Sequence, residues 1–163
     1  MSKHHATEDR DLFDEKTTGD LVDMLNQTLA DTLDLAYQTK QAHWNVKGSN
    51  FYGLHLLFDS LYTQLSTNVD EFAERAVTLG GQAYGTIRAA SLVSRLDEYP
   101  LEAKQSMTHI NALVDRFGDY THHLRHDIRK AEKLGDRDSA DLYTSVSRAM
   151  DKALWMLTSH QDA

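Results

Sequence analysis

Apolar residues recur three and four positions apart through most of the chain, without the two-residue alternation that marks a half-buried strand. Val22, Leu25, Leu29, Leu33 and Ala36 form one such stripe and predict a first helix over residues 20–46. Phe51, Leu54, Phe58, Leu61, Leu65, Phe72 and Ala76 form a second, predicting a helix over 50–81 that ends at Gly80-Gly81, as glycines past a last turn commonly end one. Residues 82–99 are too many for a tight turn, and 89–96 read as a short helical piece. Pro100, the only proline, is expected to open a third helix with Met107, Ile110, Val114, Phe117, Leu124, Ile128 and Ala131 on its inner face. Gly135-Asp136 breaks it, and Leu142, Val146, Ala149, Ala153 and Leu157 stripe a fourth. The result is an all-α four-helix bundle with short, long and short connections, and a short extra helix in the long one. The second helix would be ~45 Å long, a distance that the long connection can span.

Composition narrows this further. A chain of 163 residues supports one domain with a core, placed at 19–163 behind a charged N-terminal tail, 1–18, read as flexible. The balance of 17 basic and 25 acidic residues, net charge −8, argues against a chain whose main task is to neutralise phosphates. Cysteine is absent, which removes disulfides, thiolate metal sites and iron–sulfur clusters. No run approaches the ~20 apolar residues of a membrane span, and the polar N-terminus lacks a signal core, so a cytoplasmic protein is expected.

The second helix also carries chemistry on a sector away from its apolar stripe. His55 and Asp59, then Asp70 and Glu74, are each spaced i,i+4 and so project from one face, while His43, beside Trp44, ends the preceding helix. Two imidazoles and three carboxylates without thiolate suit Fe(II), with zinc as a competitor. Asp59 and Asp70, eleven residues apart, fall within about 20° of one face but ~16 Å apart along the axis. A single ion, with bonds of about 2 Å, cannot bridge them in one chain. An antiparallel second copy, on a two-fold axis near Gln64 and Leu65, would set His55 and Asp59 of one subunit against Asp70 and Glu74 of the other, twice per dimer.

The segment Gln41-Ala-His-Trp-Asn-Val-Lys-Gly, with Ala73-Glu-Arg-Ala-Val-Thr-Leu-Gly-Gly and Ser147-Arg-Ala-Met-Asp-Lys-Ala-Leu-Trp, resembles the Dps family, the DNA-protecting proteins of starved bacterial cells. The likeness runs from about Leu21 to Leu157. It implies a ferritin-like subunit, a hollow homo-dodecamer built from two-fold dimers, and a ferroxidase and iron store. Fe(II) would be oxidised, preferably by hydrogen peroxide, at intersubunit sites made of His43, His55 and Asp59 of one chain and Asp70 and Glu74 of its neighbour. Fe(III) would then pass to a mineral core, sparing DNA and cell from oxidative damage. Two departures qualify the likeness. No glutamate here has a histidine three residues on, which argues against the within-bundle site of ordinary ferritins. Residues 1–16 sum to three basic and five acidic charges, against the lysine-rich tail through which many Dps proteins bind DNA and associate with the nucleoid.

Each ligand has a plainer reading, since i,i+4 pairs of this kind are common on exposed helix surfaces; their combination favours a site. The like-charged Asp70/Glu74 pair has a reason to exist if it shares a cation, and Arg75 is another partner for it. Trp44 is read as packed, with shielding of the site or a radical sink as the alternative. Trp155 and Tyr143 are expected in the core, and His122, His123 and His126 on an exposed face rather than on a metal. Asp136, Asp138 and Asp141 surround the start of the fourth helix, where they suit its dipole or line a pore that concentrates Fe(II). The rival accounts are a DNA-compacting protein without catalysis and a plain helical dimer.

Overall fold

The computed structural model describes residues 13–161, so the tail expected over 1–18 falls largely outside the described residues. Five helices follow in order: α1 Glu15–Asn45, α2 Phe51–Thr78, α3 Ile87–Val93, α4 Ser106–Lys133 and α5 Arg137–Thr158. No strand occurs among the described residues, and no helix there is long and apolar enough to cross a membrane.

The first helix begins at Glu15, five residues before the start its stripe predicts. Asp14 caps it, its carboxylate accepting from the Thr17 amide at 2.8 Å. A side-chain acceptor for a free amide outweighs the weak helix propensity of Thr17, Thr18 and Gly19. The third long helix starts later than predicted. Pro100 sits in a tight turn whose carbonyl accepts from the Ala103 amide at 3.0 Å, and Gln105 then pairs with Lys47 as an isolated bridge. Gln105 is thereby held extended, and the helix begins only at Ser106.

α1 packs along α2 and α4 along α5, two antiparallel hairpins whose apolar faces merge in one core. Leu25, Leu29, Phe58, Leu65, Phe72, Phe117, Leu124, Tyr143 and Met150 all lie within it. The connection between the hairpins runs the length of the bundle in the direction of α1, which holds it by polar side chains. It starts at Gly81, whose α-carbon crowds Val22 so closely that a β-carbon would stand 2.4 Å from a Val22 methyl. Asn26 then bridges Gln82 and Tyr84, Gln27 donates to the Val93 carbonyl, Asp34 accepts from Ser94, and Gln38 donates to the Asp97 carbonyl. The path closes at Lys47, where the Ser106 hydroxyl donates to its carbonyl at 2.6 Å. α4 is thus seated on the turn between α1 and α2.

Midway along, Arg95 reaches between α1 and α4. Its guanidinium donates to the fully buried Asp31 at 2.6 and 2.8 Å and lies 3.4 Å from Asp127. The Arg95 amide takes the other Asp31 oxygen at 2.8 Å, and Thr28 links Asp127 to the Tyr143 hydroxyl.

Candidate metal centre

His43 closes α1 and His55 opens α2, so the five-residue turn between the helices folds one imidazole onto the other. Their ring centroids are 3.7 Å apart and nearly parallel. Each ring donates from Nδ1 to the main-chain carbonyl of the other residue, at 2.8 Å from His43 and 2.9 Å from His55. A carbonyl only accepts, so Nδ1 carries the proton in both rings and the lone pair of each neutral ring is on Nε2. Orienting bonds of this kind leave an imidazole ready to ligate. Phe51 tilts against the outer edge of His55 with centroids 5.2 Å apart.

Asp59, one turn beyond His55, stands 3.9 Å from His43 Nε2. Its carboxylate already holds a cation, the Lys40 ammonium, which also lies 4.7 Å over the ring of Tyr62. The hydrogen bond from Lys40 keeps the Asp59 carboxyl below its ordinary pKa, against the opposing effect of burial. Lys40 was not singled out from the sequence. It precedes His43 by three residues and so shares its face of α1, which was a usable signal.

Asp70 and Glu74 lie exposed farther along the same uninterrupted α2. The helical rise puts Asp70 ~16 Å from Asp59 along the axis. Among the described residues, no three histidine, aspartate or glutamate side chains of one chain converge as a metal-binding group. The chain thus carries two separate groups along α2, one with two imidazoles and a carboxylate and one of carboxylates alone. Arg75 does not attend the second. Its guanidinium turns to Asp136, at 2.9 and 3.0 Å, and to the Ser139 hydroxyl at 2.9 Å.

That contact puts Asp136 at the start of α5, the helix-dipole position that its place in the sequence allowed beside a pore. It is 2 % exposed and caps α5, accepting from the Ser139 amide at 3.1 Å. Burial pushes its pKa up, but the hydrogen bonds from Ser139 and Arg75 outweigh burial and hold it below the ordinary value. Asp138 and Asp141 are exposed. His122 and His126 are exposed and His123 half-buried, with His126 Nδ1 3.1 Å from Asp127. Tyr143 is fully buried as expected, but Trp155 is 64 % exposed and Trp44 61 %. Trp155 follows Leu154 and precedes Met156 on the outer side of α5, where a stripe read from spacing shades into the surface.

A ferritin-like domain model matches residues 22–163. A relative from Agrobacterium fabrum named DNA protection during starvation protein is 40 % identical over 158 residues, spanning 97 % of this chain and 96 % of its own. Among solved structures, the tetragonal form of Mycobacterium smegmatis Dps superposes with a TM-score of 0.88 at 32 % identity, covering 91 % of this chain and 90 % of that one. The Dps protein of Vibrio cholerae O1, described as one of a broad superfamily of ferritin-like diiron-carboxylate proteins, gives 0.84 at 27 % identity, with 90 % and 91 % covered.

Proposed function

The chain belongs to the Dps family of ferritin-like proteins, and from that premise we propose that it is a ferroxidase and iron store. It oxidises Fe(II), preferably with hydrogen peroxide, at sites shared between subunits of a cytoplasmic homo-dodecamer. The observation that carries this reading is the His43/His55 pair, whose two Nε2 lone pairs are left free by reciprocal backbone hydrogen bonds. The carboxylate-only half on α2 supports a shared site, since it would complete the ligand set from a two-fold-related copy. Exposed apolar side chains, Tyr52 and Leu56 on α2 and Ile87, Leu92 and Val93 on α3, suit a subunit contact.

Fe(II) is the substrate. His43 and His55 supply nitrogen ligands, Asp59 a carboxylate once Lys40 swings off it, and Glu74 of the partner subunit a second. Asp70 of the partner subunit holds a weaker second ion or a bridging water. Peroxide takes one electron from each of two Fe(II) and leaves as water after accepting two protons, and the Fe(III) hydrolyses into a core inside the shell. Zinc, with the same ligand preferences, competes for the site. DNA is protected by removal of Fe(II) and peroxide together, without need of a basic tail.

Mixed dimers test the sharing. Coexpress a chain carrying His43→Ala/Asp59→Ala with one carrying Asp70→Ala/Glu74→Ala. Each alone should be inactive, whereas the mixture should regain peroxide-driven Fe(II) oxidation, because each mixed dimer assembles one intact site. A mixture as inactive as its parents would place the site within one chain and overturn the reading.

A further inference from the structure

The face of α2 turned away from the core carries a knob near one end and a groove near the other. The knob is Tyr52, 70 % exposed, one turn before the half-exposed Leu56. The groove, about 380 Å³, is lined by Ala73, Glu74, Val77 and Thr78, with Ala83 beyond the end of the helix as its far wall. Val77 is 55 % exposed in it.

The far wall is held rigidly. Gly81 lies against Val22 with no room for a side chain, and Asn26 grips the residues on both sides of Ala83. Its amide donates to the Gln82 carbonyl at 2.8 Å, and its side-chain oxygen accepts from the Tyr84 amide at 2.8 Å. Ala73 and Ala83 themselves pack on the core. Thr78 spends its hydroxyl on the Glu74 carbonyl at 2.8 Å, which leaves the Glu74 carboxylate as the charged group the groove offers an occupant.

The register that would join the iron ligands says what the occupant is. At 100° per residue, Tyr52, Asp59, Asp70 and Val77 fall within about 20° of one line along the helix. A two-fold axis near Gln64 and Leu65, which sets Asp59 against Asp70, also brings Tyr52 level with Val77, because Tyr52 precedes the axis by as many residues as Val77 follows it. Charge favours the same antiparallel pairing. Lys40 and the two imidazoles lie at one end of the face, and Asp70 and Glu74 lie at the other. Between the ends the exposed side chains are small, and Thr63 and Thr67 already donate to carbonyls of their own helix at 3.0 and 3.3 Å. Two such helices can therefore approach closely with those hydroxyls satisfied.

We infer that Tyr52 anchors the contact between two copies of this chain: its ring seats in the groove of the second copy, and its hydroxyl donates to Glu74 of the partner subunit. The inference rests on the shared-site reading and supplies the element that sets its register. A slip of one helical turn would carry Glu74 of the partner subunit ~5.4 Å along the axis, more than twice a metal–ligand bond of ~2 Å, so no ion could then reach both halves. An aromatic knob in a rigid groove fixes the register before any iron arrives, and its hydroxyl orients a carboxylate that is to ligate.

The test uses the assembled full-length protein with p-azidophenylalanine, close to tyrosine in size, in place of Tyr52. Irradiation without iron, followed by mass spectrometry of crosslinked peptides, reads what the ring touches. Positions 52 and 77 are ~38 Å apart on one continuous helix, so a crosslink between them joins two chains. Crosslinks from position 52 to residues 73–83 support the anchor; crosslinks confined to other segments, or none, overturn it. Tyr52→Phe, which keeps the ring, should stay assembled and bind Co(II) about tenfold more weakly by calorimetry, the scale of a lost partner to a ligand. Native affinity in that variant overturns the hydrogen bond to Glu74. Tyr52→Ala, with circular dichroism as the check of folding, should also shift the particles to smaller species on dilution, and native assembly together with native affinity overturns the anchor. The crosslink without peroxide-driven iron oxidation keeps the anchor and sinks the ferroxidase reading. Iron oxidation regained in the mixed dimers without the crosslink sinks the anchor alone.

Discussion

Two groups of charged side chains lie along α1, and they are finished to different degrees. At mid-helix, Asp31 and Asp127 face Arg95, and both Asp31 oxygens are satisfied by Arg95 within the chain. At the end of the helix, His43 and His55 keep their Nε2 atoms free, and Asp59 is held by a lysine that can leave. The first group sits inside the bundle and carries its own cation. The second is open to solvent at Asp59, carries only the lysine there and leaves two ring nitrogens without a partner. A carboxylate cluster in a bundle core is therefore no evidence of a metal centre until its counter-charge is identified: here a guanidinium fills the place, and the open ligands are elsewhere.

Breaking the open group should have the largest effect. His43→Ala/Asp59→Ala is expected to bring peroxide-driven Fe(II) oxidation down to the protein-free rate in stopped flow, with little change in thermal unfolding, because neither side chain anchors the core. Breaking the closed group should do the reverse. Arg95→Ala leaves Asp31 and Asp127 buried without a counter-charge and should lower unfolding free energy by about 3 kcal/mol in denaturant titration, while the initial oxidation rate at 25 °C stays within error. Equal losses of activity in the two variants would dissolve the distinction.

Smaller effects sharpen it. Asp136→Ala removes the cap of α5 and the partner of Arg75, for a loss of about 1–2 kcal/mol. The Asp136 carboxyl titrates below its ordinary value when folded, so its contribution is complete above the usual carboxylate range and fades as pH falls through the lowered pKa. The difference between native and Asp136→Ala stability, followed by denaturant titration, should therefore shrink below about pH 4. Lys40→Met frees Asp59 of its resident cation and should tighten Co(II) or Zn(II) binding by up to roughly fivefold, the scale of an exposed ion pair. Calorimetry of metal binding distinguishes this from no change, which would mean that Lys40 does not compete with the ion.

Much of this was legible beforehand because it depends on local spacing. Helix periodicity located all five helices, and the i,i+4 arithmetic on α2 set His55 with Asp59 and Asp70 with Glu74 before any coordinates. What escaped depends on partners distant in sequence. The Lys40 and Asp59 side chains meet across two helices, as do those of Arg75 and Asp136, and nothing in either residue's neighbourhood announces the other. The later start of α4 likewise follows from the Lys47–Gln105 bridge, not from Pro100 itself. Trp155 misled for a different reason: a large ring at the margin of a stripe satisfies the periodicity whether it turns inward or out.

The reciprocal bonds of the two imidazoles have an evolutionary consequence. Each ring is oriented by the other residue's carbonyl, and every amino acid has one. Replacing either histidine removes one ring nitrogen and one stacking face but leaves the acceptor that aims its neighbour. Lineages could therefore exchange one member of the pair at a time, passing through intermediates in which the remaining imidazole still points the same way.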